Sequence, residues 1–263
     1  MTSTILRRVV GAELRRAIAV GGARVGAVVC LVISVLTGVG MTVVARTPNL
    51  QETLNLRVAD IGGASTFVAL IVVTVITSNY VTRDIEQGVL AGAKLWVPWT
   101  AQLFLGRVLA WGTLTVSVSL VPALLSAVIA MGAGISGRGL ALDLVSVVVA
   151  ATATSAAGLL VYLAALILRK GAYVVTVSLF LLIILPLIVA AISAMVPPLA
   201  DAARAASAAL LGTILVQAVA VPGSVEGATA STFAGAWLGL TLWLLAAGVL
   251  AYRSFRRESY GTR

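Results

Sequence analysis

The chain has no histidine, one cysteine and two lysines, and Asp, Glu, Lys and Arg together make up only 10% of its 263 residues. Without histidine there is no Ser-His-Asp arrangement, and the commonest general base and the usual zinc ligand are both missing. A lone cysteine excludes an intrachain disulfide and a cysteine metal cluster. Cys30 lies within an apolar run and reads as a small buried hydrophobe. Lys94 follows Ala93 and Lys170 follows Arg169, so neither lysine has the preceding glycine of a phosphate-binding loop. The H-E-x-x-H and G-x-S-x-G patterns are absent as well. The scarcity of charge sets the class. A soluble domain carries roughly 25% charged residues, and this chain has too few to cover a globule with polar surface.

What is present is hydrophobic: 60% of the residues are apolar, and the mean hydropathy is +1.11. A helix needs about 20 apolar residues to cross the hydrocarbon core. Six runs meet this, at 25–45, 61–81, 108–134, 142–168, 172–196 and 233–252. A seventh run, 205–221, is shorter and is flanked by Pro197, Pro198 and Pro222. The first run follows Arg7, Arg8, Arg15 and Arg16 and is too long for the core of a cleavable signal peptide, so it is expected to stay in the mature protein. Charge distribution arbitrates the seventh run. With six spans and a cytoplasmic N-terminus, 14 of the 18 basic residues fall on the inner side. A crossing at 205–221 would weaken the split to 10 against 8. The positive-inside rule therefore favours six spans, both termini in the cytoplasm, and an outer or re-entrant segment at 197–232. The net charge of +9 is spread over span ends, not gathered in a patch interleaved with aromatics. Anionic lipid headgroups are thus the expected counter-charge and nucleic acid is not an expected partner.

The expected architecture is an all-α integral membrane protein. Residues 1–24 form a cytoplasmic-face segment, 25–252 the six-helix domain, and 253–263 a basic cytoplasmic tail. Residues 5–20 are amphipathic, with arginines around a stripe of Ile5, Val9, Ala12 and Ala19. This segment is either a helix lying on the inner membrane face or a flanking topogenic charge cluster. No span carries a carboxylate near its middle, which argues against a proton relay. Asp60 and Asp143 fall at span ends and read as solvated or headgroup-level caps. Pro122 and Pro186 lie inside spans and favour kinks. Gly132, Gly134, Gly137 and Gly139 mark a tight outer turn. Thr74, Thr77, Ser78 and Asn79 in the second span, and Thr152, Thr154 and Ser155 in the fourth, either pack helices together or line a pathway for an amphiphilic cargo.

Residues 82–109 stand apart. They lie between two apolar runs and carry Arg83, Asp84, Glu86, Lys94 and Arg107. A charge at the bilayer centre costs about 2.5–3.5 kcal/mol on insertion scales, so this stretch has to leave the lipid. Its Trp and Leu content makes it amphipathic, and a surface helix of this kind suits the receipt of force from a soluble partner.

On these residues the whole chain resembles the permease subunit of a type-2 ABC transporter. The order is shared: an amphipathic N-terminal helix, six spans, a coupling segment between spans two and three, and re-entrant outer helices between spans five and six. After span two the family tends to an E-x-G-T-L-like start, a proline, and a glycine with a basic residue. Glu86, Gly88 and Leu90 match the start, with Val89 in place of threonine; Pro98 resembles the proline and Gly106–Arg107 the glycine and basic residue. The resemblance implies a subunit without nucleotide-binding motifs of its own, paired with a second permease, identical or not. A separate ATP-binding subunit would carry ATP and magnesium and dock on 83–107, through Arg83, Asp84, Glu86, Gly88, Leu90 and Pro98. It also implies an exporter, with substrate left open. The Ala- and Val-rich, Arg-over-Lys composition is that of a high-GC bacterium, and the expected location is its cytoplasmic membrane. A stand-alone carrier or channel, and a membrane scaffold without transport, are the competing readings.

Overall fold

The computed structural model describes residues 2–19, 21–47, 56–89, 92–93, 99–135, 137, 139–195, 207–222 and 229–257. Nine α-helices are found among the described residues: α1 (Thr2–Ala19), α2 (Gly21–Arg46), α3 (Val58–Glu86), α4 (Thr100–Gly132), α5 (Leu140–Leu168), α6 (Gly171–Leu179), α7 (Leu185–Met195), α8 (Leu211–Val219) and α9 (Ala230–Arg257). A π-helical turn, Phe180–Ile184, joins α6 to α7. Six helical stretches are long and apolar enough to cross a membrane: α2, α3, α4, α5, the α6–α7 unit and α9. They correspond one to one with the six apolar runs, and they make the chain an all-helical, multi-pass membrane protein by length and composition.

The order of the bundle follows from residue size. α3 and α5 are the central helices and the most enclosed of the six spans. On α5 the buried positions include Ala150, Ala151, Ala153, Ala157 and Gly158. Side chains this small let neighbouring backbones approach, which is how helices associate where lipid removes the hydrophobic drive. The contact of α3 with α5 uses Gly62, where a Cβ would meet the Val147 side chain, and that of α2 with α4 uses Gly38 against Ser126.

Side-chain contacts sort the helix ends into two faces. At one end the Arg46 guanidinium of α2 donates to the Ala133 carbonyl just past α4 (Nε to O, 2.8 Å), meeting the negative end of that helix dipole. At the other end Arg169 donates to the hydroxyl of Ser254 (3.2 Å), tying the end of α5 to the end of α9. The latter face also holds α1, the end of α3 and the start of α4, and is called the charged end below.

Several boundaries differ from the sequence expectation. α3 continues through Arg83, Asp84 and Glu86, so these residues form the last turn of a span, not the start of a surface helix. α4 begins at Thr100, and Gly106 and Arg107 lie inside it. Of the expected coupling segment, 90–91 and 94–98 fall outside the described residues, and with them Leu90, Lys94 and Pro98. The same holds for 197–206 and 223–228 of the outer segment and 258–263 of the tail. α4 runs through the buried Pro122 as one helix. Asp60 accepts a bond from the Arg57 amide (3.0 Å) and caps the start of α3. Asp143 is buried, 4% exposed, where a solvated cap was expected. The reason is its seat beside Gly137, where any Cβ would occupy the space of the carboxylate.

The irregularity at Pro186 has a partner. Proline has no amide hydrogen, so the Leu182 carbonyl one turn earlier loses its helical donor. Gly212 of α8 abuts that carbonyl and the Pro186 ring, leaving no room for a Cβ. From there α8 buries Leu211, Ile214, Leu215 and Ala218 in a cluster with Ala153 and Ala157 of α5 and Ala236 and Leu240 of α9. Gly212→Val is expected to overpack this seat at a cost of about 1–3 kcal/mol and to make α8 accessible to protease in a chain that still inserts. Unchanged thermal stability and protection would show that the seat is not tight.

Candidate functional site

At the charged end, α1, the last turn of α3 and the first two turns of α4 bring four charged side chains into a closed ring. Arg107 Nε donates to Glu13 Oε1 at 2.9 Å, and Arg107 Nη2 lies 3.6 Å from Asp84 Oδ2. Arg16 pairs with Asp84 and lies 3.7 Å from Glu13 Oε2. Each charge thus has two neighbours of opposite sign, and the ring is neutral. Arg107 is 4% exposed and Asp84 5%. Ions this buried lose several kcal/mol each in hydration, which only good mutual geometry offsets. Asp84 also sits at the negative end of the α3 dipole, so its stabilisation comes from the two arginines.

An aromatic stack forms the floor of the ring. Tyr80 lies on Trp111 with centroids 4.9 Å apart, and Trp111 on Tyr162 at 5.6 Å. The Trp111 indole N–H donates to Thr77 Oγ1 at 3.2 Å. The Arg16 guanidinium stands over the Tyr80 ring, 5.7 Å from its centroid. The approach of α1 depends on Gly106, whose Cα faces Val9 at a distance that no Cβ would permit. Glycine and arginine at 106 and 107 therefore serve one contact, the seating of α1 on α4. This explains why the inward stripe of α1 is not the expected one. Val9, Glu13 and Ala17 face in, while Ile5, Ala12 and Ala19 are exposed.

The residues singled out from the sequence separate into inward and outward sets. Arg83, Glu86 and Gly88 are exposed, whereas Asp84 is committed to the ring. Gly88 has φ +66°, and its amide donates to the Ile85 carbonyl at 3.1 Å. It is the left-handed residue that stops α3, a role glycine fills without steric penalty. A cleft of about 760 Å³ opens beside this turn, lined by Arg16, Asn79, Thr82, Arg83 and Glu86 among others. Thr74 and Ser78 are buried and bond back to the Leu70 and Thr74 carbonyls at 2.8 and 2.7 Å. Ser155 does the same to Ala151 at 2.6 Å. Thr152 is exposed on the opposite side of α5, bonded to Val148 at 2.7 Å. These polar side chains therefore do not converge: Thr77 faces Trp111, Asn79 faces the cleft, and Thr152 points outward.

Sequence reasoning missed Glu13 and Arg16 as site residues, together with Tyr80, Trp111 and Tyr162. One signal was legible: Glu13 is the first acid in the chain, the next being Glu52, and it is spaced three residues from Arg16. No protein-family model matches the chain, and no curated protein matches it.

Removing one partner from a buried ion cluster strands the others. Asp84→Asn is expected to cost about 3–5 kcal/mol in reversible unfolding from detergent, while exposed Arg83→Gln should stay within about 0.5 kcal/mol. Gly88→Ala should cost about 1–2 kcal/mol, because L-residues are strained at its φ. Equal effects at 83 and 84 would show that the ring is not buried in the membrane-inserted protein.

Proposed function

We propose that this chain is the permease subunit of an ATP-driven exporter of the type-2 ABC kind. It would work as a pair of permeases with a separate ATP-binding subunit that holds ATP and magnesium. In this reading the charged end is cytoplasmic, α1 lies at the inner face of a bacterial cytoplasmic membrane, and α8 belongs to a re-entrant outer segment. The observation that carries the reading is the contrast among six consecutive residues at the end of α3. Arg83, Glu86 and Gly88 are presented outward beside an open polar cleft, while Asp84 between them is bolted to α1 and α4. A soluble motor engaging the outward residues would push on a rigid base and move α1, α3 and α4 together. Among the described residues, the acidic side chains of the six spans all lie in a first or last helical turn. That placement supplies no mid-span carboxylate chain for an ion-driven carrier.

Gentle purification from native membranes is expected to bring down a soluble ATPase, and the chain alone is expected to hydrolyse no ATP. Glu86→Lys should reduce that association and the coupled activity at least severalfold, with insertion and thermal stability unchanged. Repeated recovery of the chain without an ATPase, or wild-type coupling in the variant, would overturn the proposal.

A further inference from the structure

A second surface feature lies away from the ring. α4, α5 and α9 leave between them an outward-opening groove of about 660 Å³ that ends at Arg253 and Arg256. Its length is apolar, with Leu105, Leu163, Leu245 and Val249 among the lining. Leu105, Leu245 and Val249 are 50%, 62% and 52% exposed on the outside of the bundle, so whatever fills the groove reaches it from the lipid. From Tyr252 to Thr241 the groove follows α9 for eleven residue steps, about 16.5 Å at 1.5 Å per residue. Half of a hydrocarbon core is about 15 Å, so the groove is one leaflet deep.

Its two ends differ in chemistry. The wet end presents two arginines three residues apart, hence on one helical face. Both are exposed. The ion pairs among the described residues all involve Arg16 or Arg107, and the described residues offer Arg253 and Arg256 no carboxylate. The middle of the groove is deepened by Gly248, which lines it and has nothing within 4 Å of where a Cβ would stand.

We propose that this groove is a binding site for an anionic phospholipid, with an acyl chain laid along α9 over Gly248 and the phosphate held between Arg253 and Arg256. A paired guanidinium site suits phosphate oxygens, and an acyl chain is the ligand that matches an apolar slot opening to lipid at this depth. The site does not rest on the transport reading, and an absent ATPase would leave it standing.

The test uses the full chain in phosphatidylcholine vesicles doped with phosphatidylglycerol carrying a photoreactive acyl chain. Adducts are expected to concentrate on peptides of α4 and α9 that line the groove. Unlabelled phosphatidylglycerol should suppress them better than unlabelled phosphatidylcholine by on the order of tenfold, the preference two basic side chains give at an anionic headgroup. Arg253→Gln with Arg256→Gln should abolish that preference while chain labelling persists. Gly248→Leu should remove the labelling, with unchanged unfolding temperature because the new side chain meets open space. Uniform labelling around the bundle, equal competition by the two lipids, or labelling that spares the groove would each overturn the site, the last by showing that something other than lipid fills it. The lipid competition on the unaltered chain decides the matter even where a variant fails to fold.

Discussion

Charge buried at the end of an apolar bundle has to be neutralised from within, and four side chains here do that for one another. Glu13 and Arg16 come from α1, Asp84 from the end of α3, and Arg107 from two turns inside α4. A ring closed across three helices fixes their relative height and rotation, because moving any one separates opposite charges in a poorly screening medium. Gly106 and Val9 set how closely α1 comes down, and the Tyr80–Trp111–Tyr162 stack sets how far α3, α4 and α5 close beneath it. Polar matching and apolar packing thus specify the same arrangement, the consistency between levels that a single native structure requires.

The remainder of the bundle is held by close packing of small side chains. Helix contacts rest on Ala, Gly and Ser positions of α3 and α5, where dispersion and backbone proximity act without a hydrophobic drive. α6 and α7 meet at a π turn just before Pro186, and α8 docks on the Leu182 carbonyl within it. π turns inside helices recur at functional positions. In this chain the turn lies inside the α6–α7 span, and α8 ties that span to α5 and α9.

Much of this was legible in the residues. Six apolar runs are six helices, and residues 205–221 contain the short helix α8, because length and hydropathy report directly on such elements. The boundaries around 82–109 were not. Arg83, Asp84 and Glu86 read as part of a separate surface helix outside the lipid, yet they form the last turn of α3. An amphipathic pattern records which side chains are polar, not which are paired, and the α1 partners of Asp84 and Arg107 lie 68 and 94 residues away. For the same reason the inward face of α1 was misjudged: Glu13 faces in because Arg107 waits there. Gly88 and Gly106 were picked out by family resemblance. Their physical roles, a left-handed helix stop and a close helix crossing, emerged only from φ and packing.

A double-mutant cycle on Glu13→Gln and Arg107→Gln, read by reversible unfolding of the membrane-reconstituted chain, measures the α1–α4 ion pair with each change controlling the other. Direct coupling in a buried ring gives an interaction energy in the range of about 0.5–3 kcal/mol. Strictly additive losses would mean that the two side chains do not meet and that α1 is not anchored through this ring.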